Sequence, residues 1–159
     1  MNTAMTKRSS GDWLLLLGFL LVVFVVGGVI GFSTAPGAWY AGLAKPPFNP
    51  PNWVFAPVWS ALYVLIAVAG WRTFRRDRSG VPMQLWIAQM LLNWAWSPVW
   101  FSLHLLWVAL VIIVAMLATI LAFIAMSWRQ DRVSALLFVP YAAWVGFATL
   151  LNLSVALLN

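Results

Sequence analysis

The sequence predicts an all-α integral membrane protein, a bundle of five transmembrane helices with a long proline-rich lid loop between the first two. Three observations carry that prediction. Of 159 residues, 64% are hydrophobic and 8% charged, which leaves too little polar surface for a water-soluble domain of this size. Five stretches of about 20 residues are almost free of charge, the length at which a helix crosses a hydrocarbon layer of about 30 Å. Eight of the nine basic residues fall on one face of the membrane, before the first span and in alternate connections, as the positive-inside rule expects of a polytopic chain.

The first span is read over 13–32. Lys7 and Arg8 precede it, and its length exceeds the 7–15 residues of a signal-peptide core, so it is read as a membrane helix. Spans two to five cover 53–71, 83–103, 105–126 and 134–158, all within one domain, 1–159. Arg72, Arg75, Arg76 and Arg78 follow span two, and Arg129 and Arg132 lie between spans four and five. Only Lys45 falls on the other side, so the N-terminus is expected inside and the C-terminus outside. The net charge of +6 is therefore a topology signal and not a nucleic-acid footprint.

Three connections are short, which implies antiparallel neighbours in a compact bundle; the single histidine, His104, sits in one of them as a solvent-facing turn residue. The fourth, 33–52, holds the first part of the segment "AKPPFNPPNWVFAPVWSALY", whose five prolines run from Pro46 to Pro57. Proline fixes φ near −65° and restricts the residue before it, so this loop is stiff. Its aromatic residues give it apolar groups to pack, and it reads as a lid over one end of the bundle. Pro51 suits the start of span two, whereas Pro57, Pro98 and Pro140 fall inside spans and are expected to bend them.

Twelve tryptophans exceed the ordinary share. Seven of them (Trp13, Trp39, Trp53, Trp71, Trp86, Trp107 and Trp128) fall near span ends, where an aromatic belt at headgroup level accounts for them. Trp59, Trp96 and Trp144 lie deeper. Gln89, Asn93, Trp96 and Trp100 recur on one stripe of span three; Tyr141, Trp144, Ala148 and Leu151 do so on span five; Trp59 and Tyr63 pair on span two. Such stripes serve helix packing, but two amides on the most aromatic face point to a cavity with a few polar anchors. Gly27 and Gly31 offer a close-packing face on span one.

Much chemistry is excluded. The chain has no cysteine, and Asp12, Asp77 and Asp131 all fall outside the spans, against proton-coupled export through a membrane carboxylate. No nucleophile–base set, phosphate loop or metal-ligand spacing is present, so no catalytic or metal residues are assigned. The absence of an evident internal repeat, and the odd number of spans, argue against an inverted-repeat transporter.

The order "WY-x-x-L-x-KPP-x-NPP-x-WVF-x-P-x-W-x-x-LY", then "Q-x-x-x-N-x-x-WSP", then "PY-x-x-W-x-x-x-A-x-x-x-N" resembles the tryptophan-rich sensory protein family, which includes the mitochondrial translocator protein, or peripheral benzodiazepine receptor. The resemblance runs from about Gly28 to Asn159. It implies a five-helix bundle, often a homodimer, that binds protoporphyrin IX or a related tetrapyrrole and isoquinoline or benzodiazepine ligands, with no obligatory cofactor. By that resemblance the first loop closes over a cavity, with Phe48 and Trp53 as its roof. Matching positions are Trp39, Tyr40, Trp59, Asn93, Trp144 and Ala148, with Tyr63, Trp96 and Leu151 as further lining. The ending "LNLSVALLN" lacks the tyrosine and basic residue of the mammalian cholesterol motif, so sterol binding is poorly supported.

The expected function is a membrane receptor or carrier acting as sensor, regulator or transporter. Two alternatives stand beside it: a light- or oxygen-dependent porphyrin-degrading enzyme with Trp59 and Trp144 as the photoactive indoles, and a ligand-free membrane scaffold. A bacterial cell membrane is the expected location, with outer membranes also occupied within the family.

Overall fold

The computed structural model describes residues 10–159, so Lys7 and Arg8 lie outside the described residues. Its elements are α1 (Ser10–Ser33), a short α2 (Ala38–Gly42), α3 (Phe55–Arg76), α4 (Val81–Ser97), α5 (Leu106–Ser127) and α6 (Arg132–Leu158). A 3₁₀ turn, Asn52–Val54, leads into α3, and a π-helical turn, Pro98–Ser102, ends α4. Among the described residues, four stretches are long and apolar enough to cross a membrane: Gly11–Ser33, Asn52–Arg76, Leu106–Ser127 and Arg132–Leu158. The expected span over 83–103 is built otherwise, as a 17-residue α-helix plus the π turn.

Proline chemistry accounts for that difference. Pro98 has no N–H to continue the α ladder, and the ladder slips: the Leu103 N–H donates to the Pro98 carbonyl at 3.0 Å, five residues back. The chain then leaves through His104, whose φ of 58° marks the turn. Pro57 costs α3 little, because it lies in the first turn where N–H groups are unpaired anyway. Pro140 alone sits well inside a helix.

Other boundaries follow ordinary capping. Asp131 caps α6, its carboxylate accepting from the Ser134 N–H at 3.4 Å and the Ser134 hydroxyl at 2.6 Å. Arg75 and Arg76 close the last turn of α3, where positive charge complements the helix dipole.

The long helices form a ring in the order α1, α3, α6, α5, α4, with α4 returning lightly to α1. The half nearest the arginines is densely filled. Ile66, Met90, Ile120, Phe123 and Phe138 are buried there, with the Phe123 and Phe138 rings 4.1 Å apart. Trp86 lies against Gly70, where any added Cβ would collide with its indole, and its Nε1–H donates to the Ile66 carbonyl at 2.9 Å. Trp71 is only 9% exposed and donates to the Asp12 carbonyl at 3.1 Å. Trp71 and Trp86 are thus core residues, a correction to the headgroup belt. Trp13, Trp53, Trp107 and Trp128 are exposed.

Two ion pairs tie this end together, Arg72 to Asp131 at 2.8 Å and Arg75 to Asp12 at 3.0 Å. Burial works against the Asp131 carboxylate, but the bonds from Arg72 and Ser134 and the Arg72 charge outweigh it and hold its pKa below the usual value.

Candidate functional site: an aromatic cavity under the proline loop

The opposite half of the ring is hollow. A cavity of about 580 Å³ lies among α1, α3, α4 and α6, with the long loop across its end. A volume of that size is ordinary for a site that encloses a small organic molecule. The wall is mostly apolar, and no charged side chain is part of it among the described residues.

Its floor is a polar layer closed on itself. Tyr141 is fully buried; its hydroxyl donates to Gln89 Oε1 at 2.9 Å and accepts from Asn93 Nδ2 at 2.9 Å. Gln89 Nε2 donates in turn to the Trp86 carbonyl at 2.8 Å. Asn93 reaches the cavity, whereas Gln89 and Tyr141 lie beneath it. The amides therefore divide between one that faces the space and one that fixes the helix register below.

Helix α3 contributes Phe55, Trp59 and Tyr63, with the Trp59 and Tyr63 rings 5.6 Å apart. Tyr63 has its place because position 27 is glycine: a Cβ there would come within 2.6 Å of the Tyr63 ring. Gly27 thus serves packing inside the chain, and Gly31 opens directly onto the cavity. Helix α6 supplies Trp144, Ala148, Leu151 and Asn152 along one face. On α4, Trp96 stacks on Trp100 at 5.8 Å, and its Nε1–H donates to Asn152 Oδ1 at 3.0 Å.

The loop is held by polar contacts as well as by its prolines. Lys45 Nζ donates to the Leu43 carbonyl at 3.0 Å and lies 4.6 Å from the centre of the Tyr40 ring. Asn159 accepts from the Ala44 N–H and donates to its carbonyl, both at 3.0 Å. Tyr40 is buried and faces the cavity, and its hydroxyl donates to Asn49 Oδ1 at 3.4 Å. Burial raises the Tyr40 pKa, against a smaller lowering by Asn49.

Of the residues singled out from the sequence, Tyr40, Trp59, Tyr63, Asn93, Trp96, Trp144, Ala148 and Leu151 come together in the cavity wall. Two do not. Trp39 stacks on the exposed His104 at 3.9 Å, outside the cavity, because the turn of α2 that buries Tyr40 aims its neighbour away. Phe48 is half exposed, its nearest ring Phe147 at 6.4 Å, and Trp53 is 74% exposed. The roof is therefore made by Pro36, Tyr40 and Asn49, not by Phe48 and Trp53.

Sequence reasoning missed Thr34, Ser97, Trp94 and Asn152. Asn152 was legible, two turns beyond Trp144 on the same face. Thr34 and Ser97 were not: they meet across the α1–α4 seam at 2.6 Å, a contact between distant segments that no spacing encodes. Two of the lining indoles, Trp94 and Trp144, have ring nitrogens that are buried away from the cavity and have no partner among the described residues. A buried donor left unpaired costs about 1–3 kcal/mol; both nitrogens are covered by neighbouring atoms and do not open onto the cavity.

A helical bundle with apolar membrane-length helices and an aromatic cavity between them defines a class, that of polytopic membrane proteins with a hollow inside the bundle. Within that class the assignment is specific. Residues 19–158 match the TspO/MBR family, and the chain belongs to it. It is 35% identical over 150 residues to Protein CrtK of Rhodobacter capsulatus, covering 92% of this chain and 94% of that one. It is 34% identical to the Tryptophan-rich sensory protein of Cereibacter sphaeroides, with 93% of each chain covered. The Translocator protein of Ovis aries is 36% identical, over 88% of this chain and 87% of its own. The chain is an integral membrane protein, and its bacterial relatives support a bacterial membrane as its location.

Proposed function

We propose that this protein is a membrane receptor or carrier whose cavity takes a flat, largely apolar ligand of the tetrapyrrole class, such as protoporphyrin IX, or an isoquinoline or benzodiazepine of similar outline. The observation that carries the reading is the cavity of about 580 Å³ walled by Trp59, Tyr63, Trp96, Trp144 and the Asn93 amide. Flat π-systems gain from stacking and edge contacts with tryptophan and tyrosine rings, and a few polar groups suffice to orient them. The names of the relatives, translocator and sensory protein, agree with a ligand-handling role.

The reading includes a topology. Helix α4 with its π turn, 22 residues from Val81 to Ser102, is taken as the fifth crossing. At about 1.5 Å per α-helical residue such a segment reaches across a hydrocarbon core. The arginine end faces the interior and the proline loop faces out. A homodimer is part of the same reading.

The test is a titration of the full chain in detergent micelles with protoporphyrin IX, following tryptophan quenching and the Soret band. Saturable binding is expected, weakened roughly three- to tenfold in Trp144→Phe, which replaces the indole with a smaller ring and removes stacking surface from the wall. Binding that never saturates, or that is the same in the variant, would refute the assignment of the ligand to this wall.

A further inference from the structure

The roof of the cavity rests on a very short element. Helix α2 carries Tyr40, yet its five residues are far below the length at which a helix holds itself in water. Its place is therefore set by what grips it. Gly37 and Gly42 stand at its two ends; neither has a positive φ, and a Cβ at either would meet open space. Close packing fixes neither of them, so each end of α2 is a soft joint in the chain. Tyr40 turns inward and meets Phe101 edge-on at 5.4 Å. Trp39 lies outside the cavity and stacks on His104, ring centres 3.9 Å apart and planes within 16°. Phe101 belongs to the π turn, and His104 is the residue through which the chain leaves it.

We propose that His104 is a positioning residue for the roof: through Trp39 it acts as a catch that keeps α2 seated and Tyr40 across the end of the cavity. Its backbone supplies the reason. A φ of 58° lies in the left-handed region, where glycine is unstrained and another residue persists only under constraint. His104 is exposed, and among the described residues its side chain makes no hydrogen bond or ion pair; what its ring meets is Trp39. A glycine would make this turn with less strain and leave Trp39 nothing to stack on. One aromatic stack shifts an opening equilibrium roughly two- to tenfold. That is enough to set how often the roof lifts and too little to decide whether the bundle folds. The inference deepens the reading of the cavity as a ligand site, since the catch governs passage into it from the loop end.

The chain has no cysteine, so a thiol can be placed in the wall as a reporter. In Ala148→Cys that thiol lies in the cavity wall, and its rate of labelling in micelles by a cationic, water-soluble methanethiosulfonate follows the opening of the roof. His104→Asn removes the ring and keeps a residue that tolerates the left-handed backbone. It is expected to speed labelling roughly two- to tenfold. Trp39→Ala should speed it at least as much, and adding His104→Asn to Trp39→Ala should change nothing further, because one contact is being removed. The unfolding midpoint of His104→Asn, scanned alongside, should hold. An unchanged labelling rate in His104→Asn, a further acceleration in the double variant, or an acceleration that only follows a lowered midpoint would overturn the proposal. So would a thiol that is labelled in none of these proteins. If His104→Asn does not fold, His104→Gly, which relieves the backbone and also lacks the ring, takes its place. Faster labelling in a protein that binds no protoporphyrin IX would leave the catch standing and defeat the ligand reading alone.

Discussion

Trp86 and Trp94 stand two turns apart on α4 and meet opposite surroundings. Trp86 fits against Gly70, its ring edge-on to Phe19 at 5.2 Å and its N–H bonded to the Ile66 carbonyl. Trp94 packs against the same core on one side and borders the cavity of about 580 Å³ on the other, and its covered N–H has no partner. The two residues are chemically identical and lie on the same helix, so the difference is made by what stands opposite. Around Trp86 the neighbouring helices present glycine and large aliphatic groups that interlock. Beside Trp94 lies the cavity, whose wall includes Gly31, Ala148 and aromatic rings. One half of the bundle is filled and the other hollow, and the Gln89–Tyr141–Asn93 layer divides them.

That division can be broken from the filled side first. Gly70→Val forces a branched side chain into the Trp86 indole and should destabilise the protein most, by about 3 kcal/mol, since overpacking a dense core has no outlet. Thermal unfolding in micelles measures it, and an unchanged midpoint would deny that the contact is tight. Tyr141→Phe comes next: it deprives Gln89 and Asn93 of their shared partner and should cost about 1–3 kcal/mol. The same change should leave the ligand affinity within about twofold, because Tyr141 lies below the cavity and not in its wall.

The smallest effect is expected at the arginine end. The lowered pKa of Asp131 means that its ionised, Arg72-bound form stabilises the fold above the unfolded carboxyl pKa of about 3.9. That contribution is lost as pH falls from there through the folded value. The pair is partly exposed, so the loss should be below about 1 kcal/mol. It should be absent in Arg72→Gln when midpoints at pH 6 and pH 3 are compared by about the same scan. Equal acid sensitivity in both proteins would remove the pair from the account.

The same contrast explains how far the sequence could be read. Helix positions, the stripes on α4 and α6 and the loop over the cavity are local matters of spacing and proline, and Trp59, Asn93, Trp144 and Ala148 were visible from spacing and motif. What spacing does not encode is which partner faces a given residue. Trp71 and Trp86 look like belt residues until Asp12 and Gly70 are seen beside them. Phe48 and Trp53 look like a roof until α2 inserts Tyr40 in their place. The span over 83–103 looks continuous because composition does not register the hydrogen bond that Pro98 lacks.

The most direct test of an occupied cavity is to fill it from within. Ala148→Phe places a ring in the space one turn from Trp144, in a wall that has room for it. Titrated with protoporphyrin IX beside the wild type, this variant should lose binding by more than about tenfold while its unfolding midpoint holds or rises. Unaltered binding in a folded Ala148→Phe protein would mean that the ligand sits elsewhere and would contradict the account.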